Sequence, residues 1–375
     1  MKRLSAIDAF RGLAVVLMVM HHTVDSWVEP VARGTYFFTI LRHLGGIPAP
    51  AFMILAGLSS ALVAAREREK GAALGARILS GVKRGLYILG VAFAFRVFCF
   101  VAGGNRLEYW PILFRVDVLN CMGVSLALVS AACSFARTTR QSIAIALGFA
   151  ALFGLAAPLM ESVHVTFPSE LIGNYLTGHS VMVLFPMFPW VAYLAVGYAA
   201  GESIAASLRI SKDPGSITLA RATRPYFLVA AILFSLGWAL ELLPFRLYPR
   251  HDYWHSSPLW FLMRIGIQFA LLAAFAAWLR NDVKGVRAKF LQLLGRHSLL
   301  AYVFHIELVY GRLSNPVSKA VSIPVTFLAV AGLVAVCGAL AWATEWWEGR
   351  RRRGVESKQR IETAAPTVSL DPTGV

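Results

Sequence analysis

Residues 9–27, AFRGLAVVLMVMHHTVDSW, decide what kind of protein this is. From Ala9 to Met20 the only charged side chain is Arg11, and the run then meets His21, His22 and Asp25 before Trp27. A mostly apolar stretch of about 20 residues matches the hydrocarbon core of a bilayer. No small-residue cleavage site follows a short apolar segment, so the stretch is read as a retained first helix.

Working outward, comparable apolar runs centre near 48–65, 85–102, 118–135, 142–159, 181–200, 226–243, 258–279, 291–310 and 324–343. The whole chain of 375 residues is 57% hydrophobic and 15% charged, whereas soluble domains carry about 25% charged residues. The expected fold is therefore all-α, a polytopic integral membrane bundle of about ten transmembrane helices. Ten crossings put both termini on one side. The segments of that side hold about three times as many Lys and Arg residues as the opposite loops, which makes it cytoplasmic by the positive-inside rule.

The net charge of +16 would suggest nucleic acid in a soluble protein. Here the basic residues sit between apolar runs, so they report topology and no nucleic-acid partner is expected. Trp27, Trp110, Trp190, Trp254, Trp260, Trp346 and Trp347 fall near span ends, where indole rings anchor at headgroup level. Residues 1–345 form the expected membrane domain. Residues 346–375, opening on Trp346 and Trp347 and carrying Arg350 to Arg353, read as a basic, disordered cytoplasmic tail drawn to anionic lipid. Cys99, Cys121, Cys133 and Cys337 lie in apolar segments without metal-like spacing, so neither a disulfide framework nor a metal site is expected.

Polar groups inside a bilayer are costly, and the first helix carries an unusual load of them. Arg11 and His22 are eleven residues apart, close to three turns, which places them on one face about 16 Å apart along the axis. Arg11, near the cytoplasmic end, offers a planar fork for phosphate or carboxylate. His22 lies near the outer end, with Asp25 three residues on, able to orient His21 or His22 as a carboxylate supports a general base. The plainer alternative is an interfacial Asp8–Arg11 pair and histidines wetted at the outer headgroups.

The opening RLSAIDAFRGLAVVLMVMHHT resembles the first helix of transmembrane acyltransferases of the heparan-α-glucosaminide N-acetyltransferase type. The Arg, ten residues, His spacing is similar to the wider group that O-acylates bacterial surface glycans. PAPAFMILAGLSSAL at 48–62, RVDVLNCMG at 115–123, LFPMFPWVAYLAVGYAAG at 184–201 and LGRHSLLAYVFHIELVYG at 294–311 extend the likeness over residues 1–311. The resemblance implies transfer of an acyl group, expected to be acetyl, from cytosolic acetyl-CoA or another acyl-CoA to an amino or hydroxyl group of an extracytoplasmic envelope saccharide. It also implies a bacterial inner membrane. Arg11 and His22 match the bacterial motif, with Arg11 as donor anchor and His22 as general base or transient acyl carrier. In the eukaryotic branch the position of His22 is Asn and the catalytic His sits in the following loop. That loop here offers only His43, which does not align with it and stands as a second catalytic candidate.

His305, with Glu307 nearby, is a further catalytic candidate or a packing histidine. His179, before FPMFPW, either receives an acceptor or is a solvated loop residue. Arg96 and Arg264, inside the third and eighth spans, either bind CoA phosphates or pair with a carboxylate such as Asp117 or Glu241. Gly45, Gly46, Gly57, Pro48, Pro50, Pro186 and Pro189 either open the bundle to a thioester or pack helices closely. No GxSxG elbow, HExxH pair or Walker loop is present. The alternative class is a transporter or flippase of an anionic solute or glycolipid, for which paired inverted halves would be expected, and none is seen. A homodimer, the acceptor's identity, the acyl length and N- against O-acylation stay open.

Overall fold

The computed structural model describes residues 4–104, 106–165, 169–178, 182–210, 216–243, 248, 252–280 and 285–364. Among these the chain is helical throughout, with no strands beyond two isolated bridges, Val28 with Val321 and Val116 with Val183. Seven helices or helix pairs are long and apolar enough to cross a bilayer, and the shorter apolar helices Val118–Ser134, Thr139–Leu155 and Ser298–Tyr310 fall where further crossings were expected. The protein is thus an all-α, multi-pass membrane bundle.

Its centre is built from α1 (Ser5–Trp27), α3 (Pro48–Glu69), which follows α2 (Tyr36–Gly45), and α9 (Met187–Ile210). Between α3 and α9 lie glycines rather than large side chains. A Cβ on Gly57 would stand 2.0 Å from the Leu194 carbonyl oxygen, and one on Gly197 would stand 2.0 Å from that of Ile54. Backbones in such contact gain dispersion along their length, the main attraction available where surrounding lipid is as apolar as leucine. Gly57 is thus a packing residue.

Around this centre lie α4 (Leu74–Ala102), α5 (Val118–Ser134), α6 (Thr139–Leu155), the short α7 (Ala157–Met160) and α8 (Glu170–Leu176), α10 (Ser216–Thr223), α11 (Pro225–Glu241) and α12 (Pro258–Trp278). The outer helices expose Leu86, Tyr87, Leu228, Ile232 and Trp238. An apolar face of that extent would drive aggregation in water and is the ordinary surface of a protein in lipid.

One expected span differs. Residues 291–310 are not a single helix but α13 (Val286–Arg296) and α14 (Ser298–Tyr310), separated at His297, whose φ of −107° and ψ of 27° leave the helical region. Two contacts hold the break. Gly295 packs so tightly against α1 that a Cβ would lie 1.8 Å from the Asp8 carbonyl oxygen. Arg296 donates from Nε to Glu345 Oε1 at 2.6 Å, with His297 Nε2 3.5 Å from the same oxygen. Glu345 belongs to α15 (Ile323–Ala364), which continues through the 346 boundary drawn from sequence and carries Arg350 to Arg353 as helix.

Candidate active site

The last turns of α1 and α14 are fastened to one another. The Val309 carbonyl, which has no intrahelical donor so near the end of α14, accepts from Ser26 Oγ and Trp27 Nε1, both at 3.1 Å. Inside this clasp the rings of His22 and His305 lie nearly parallel, 5.0 Å between centroids, with His22 Nδ1 2.7 Å from His305 Nε2. His305 is fully buried, and its other nitrogen, Nδ1, is 2.8 Å from the Ala301 carbonyl oxygen.

That last contact fixes the proton positions. A carbonyl only accepts, so His305 Nδ1 carries hydrogen, and in the neutral ring Nε2 is then an acceptor. His22 Nδ1 must therefore donate to it. The lone pair left on His22 is at Nε2, the arrangement of an oriented general base. Two more rings close the surroundings: Tyr310 lies edge-on to His22 at 5.7 Å and Tyr302 edge-on to His305 at 5.8 Å.

The structure thus brings His22 and His305 together, while Asp25 and His43 stand apart from that hydrogen bond. Asp25 is exposed; its carboxylate accepts from the Tyr310 hydroxyl at 3.5 Å, and its backbone oxygen accepts from Arg33. The hydrogen-bond partner of His22 is an imidazole on α14, while this carboxylate meets Tyr310. His43 sits exposed on α2, its Nδ1 donating to the Thr39 carbonyl at 2.7 Å and its ring edge-on to Trp254 at 5.1 Å. His179 lies outside the described residues.

Arg11 lies three turns from His22 toward the start of α1. It donates to Ser59 Oγ on α3 at 2.9 Å and stands 3.4 Å from Asp8. It also lines a small cavity of about 120 Å³ whose walls include Phe52, Met122, Ser298 and Tyr302. Tyr302, one of its walls, lies edge-on to His305. A larger cavity of about 870 Å³, between α6, α9, α11 and α12, is almost wholly apolar and touches none of the candidate residues. Its walls suit hydrocarbon chains rather than polar chemistry.

Arg96 is an ion-pair residue: its Nη2 meets Asp117 Oδ2 at 2.7 Å. Asp117 also caps α5, its Oδ1 accepting from the backbone of Leu119 and Asn120. Arg264 has no such partner. Among the described residues no carboxylate pairs with it, and it stacks over the Trp260 ring at 5.0 Å. Sequence reasoning missed Tyr302, Tyr310 and Ser59, whose residue types carry no signal without the fold. It also missed the buried pair of Arg68 with Glu202, where two hydrogen bonds of 3.0 and 2.6 Å join α3 to α9 and Ser142 Oγ donates to the same carboxylate. Among the described residues no three His, Cys, Asp or Glu side chains gather to ligate a metal ion.

Fold and site together define a multi-pass membrane protein that buries a hydrogen-bonded histidine pair among its helices. The chain belongs to the heparan-α-glucosaminide N-acetyltransferase catalytic family, whose family model matches residues 3–231. Membership makes it, in general terms, a membrane enzyme of the acetyltransferase type. No curated protein matches the chain. The matched stretch contains Arg11, His22, Asp25, His43 and Arg96, while His305 and Arg264 lie beyond it.

Proposed function

We propose that the protein transfers an acyl group, acetyl in the first instance, from cytosolic acyl-CoA to a hydroxyl or amine of an extracytoplasmic saccharide in a bacterial inner membrane. The observation that carries this reading is the His22–His305 hydrogen bond, which leaves one imidazole lone pair poised inside a bundle of the acetyltransferase family. The bias of basic residues supports placing the Arg11 end in the cytosol and the histidine end outside. The Arg11 guanidinium then holds a phosphate of the donor, and the cavity from Arg11 to Tyr302 marks the course of the thioester arm. At about 120 Å³ that cavity is smaller than the arm, so this reading requires its walls to part on donor binding.

In direct transfer, His22 Nε2 takes the proton of the acceptor hydroxyl or amine as the acceptor oxygen or nitrogen bonds to the thioester carbonyl carbon. The carbon–sulfur bond breaks, and the CoA sulfur leaves with the proton returned by His22. The same Nε2 is the attacking atom if the acyl group first rests on the enzyme, and a pre-steady-state burst of CoA separates the two routes. The test is CoA release by purified protein given acetyl-CoA and a panel of saccharides. Acceptor-dependent release lost in His22→Ala supports the reading. Transport of an unmodified solute by proteoliposomes without acyl-CoA, with no CoA release, would replace it by the transporter alternative.

A further inference from the structure

The apolar cavity of about 870 Å³ lies apart from the histidine pair, and its shape says what fills it. Its floor is made of small residues, Ala150 and Gly154 on α6 and Ala199 and Ala200 on α9. Opposite them stand Val229 and Leu233 of α11 and Phe261 and Ile265 of α12. Small side chains on one helix pair thus leave a space that the large ones on the other do not close.

The cavity opens sideways. Leu147 and Leu155 of α6 and Leu240 and Leu243 at the end of α11 line it and are nevertheless exposed. The mouth therefore lies between α6 and α11, where Leu228 and Ile232 also face the bilayer. The two ends differ. Glu241, Tyr248 and Ser257 line the end that the bias of basic residues places outside. At the inner end the Tyr226 ring stacks on Phe269 at 4.9 Å, and its hydroxyl donates to the Ala200 carbonyl at 3.2 Å. Both rings are buried, so that end is closed.

These features select one occupant. Water does not settle in an apolar cavity, and an empty one forfeits dispersion on every wall. A partner's transmembrane helix would have to run on through the closed inner end. A lipid tail stops where it must. The lining of α6 runs from Ile143 to Leu155, about 18 Å of helix, slightly more than the about 15 Å of hydrocarbon in one leaflet. One extended acyl chain is therefore covered along its length.

We propose that this cavity is a binding site for a membrane phospholipid. Its acyl chain enters between α6 and α11, its head stays at the outer surface beside Glu241 and Ser257, and its methyl end meets Tyr226 and Phe269. The lipid thus wedges α6 and α9 against α11 and α12. On its far side α12 stacks Phe275 on Phe10 of α1 at 5.7 Å, so the bound chain also supports the helix behind α1.

The experiment reconstitutes purified full-length protein into liposomes of phosphatidylethanolamine and phosphatidylglycerol. A trace of phosphatidylcholine carries a diazirine either at the methyl end of one chain or next to its carbonyl, and adducts are mapped by peptide mass spectrometry after irradiation. The methyl-end probe is expected to mark Tyr226 and Phe269, and the carbonyl-end probe to miss them. Leu228, near the same end of α11 but facing the bilayer, gives the opposite pattern, because inner-leaflet lipids reach it with their carbonyl ends. Ala151→Trp, at an exposed position that lines the cavity, blocks the mouth. It lowers methyl-end labelling of Phe269 severalfold and leaves Leu228 unchanged, which also shows that the bundle is intact.

Absence of adducts on both Tyr226 and Phe269 would overturn the site. So would marking of the two rings by the carbonyl-end probe, or labelling of Phe269 that Ala151→Trp does not reduce. The acyl-transfer reading is tested by CoA release alone, and its failure would leave these adducts unchanged.

Discussion

His22 Nδ1 lies 2.7 Å from His305 Nε2, and the Ala301 carbonyl at the far side of the second ring sets the direction of the proton between them. In the proposed transfer His305 is a positioning residue that acts through His22. His22→Ala is expected to cut transfer by about 10²- to 10⁴-fold, the usual worth of a placed general base. His305→Ala keeps the base but frees its tautomer, so kcat falls by about 10²-fold while KM for the donor stays constant. His305→Gln, whose amide oxygen can accept from His22 Nδ1, recovers part of the loss. An unchanged kcat in His305→Ala, in protein that folds, would make the contact mere packing.

Arg11 is expected to act on donor affinity. Its charge-assisted contact to a phosphate is worth about 1.5–3 kcal/mol, so Arg11→Ala weakens acetyl-CoA binding by about 10- to 100-fold. Arg11→Lys, which keeps the charge and loses the fork, falls between. Equilibrium binding in detergent reads this directly, and equal affinity in wild type and Arg11→Ala would move the donor site elsewhere.

The helices, and the placing of Arg11 and His22 along one of them, were legible because both depend on local pattern. A twenty-residue apolar run has one stable form in lipid, and Arg11 and His22 share a face by helical period alone. The His22–His305 contact was not legible as a contact. Two residues 283 apart in sequence meet only because Gly12 and Gly295 bring α1 and α13 together and the break at His297 redirects α14. Nor could spacing tell Arg96 from Arg264. Both are lone cations in apolar spans, and only the fold brings Asp117 to the first and leaves the second facing a turn of two glycines.

The Arg96–Asp117 pair predicts a stability effect with its own control. Asp117 is 4% exposed, so Asp117→Ala leaves a buried guanidinium uncompensated at about 3–5 kcal/mol and removes the α5 cap at about 1 kcal/mol more. Combining it with Arg96→Met restores the first contribution and not the second. Thermal unfolding in detergent checks this, and a double variant no more stable than Asp117→Ala would show that the pair is not coupled.

The α1–α13 contact predicts a contrast between two glycines. A Cβ on Gly12 would lie 1.9 Å from the Leu291 carbonyl oxygen, so Gly12→Ala must force two backbones apart at about 1–3 kcal/mol or more. It also displaces the histidine pair that this contact supports, so activity falls with stability. Gly148 on α6 meets nothing within 4 Å, and Gly148→Ala gains about 0.5–1 kcal/mol from the stiffer chain. Matching unfolding temperatures for the two variants would refute the close approach.

The loop that carries Trp254 should respond to acid. Asp252 Oδ1 accepts from the Trp254 backbone N–H at 2.8 Å, and Oδ2 is 2.8 Å from His255 Nδ1. Burial alone would raise the Asp252 carboxyl, but the His255 contact and the backbone N–H groups of Trp254 and His255 outweigh it and hold the group below its ordinary value of 3.8. A carboxyl depressed in the folded state stabilises above its unfolded value, and that contribution disappears as pH falls through the folded value. The loop is therefore insensitive to pH from neutrality down to the ordinary carboxylate range and loosens below it. Asp252→Asn, which cannot carry the charge, is loosened at every pH. Emission from Trp254, isolated by comparison with Trp254→Phe, reports the change, and a transition well above pH 4 would mean that another group holds the loop.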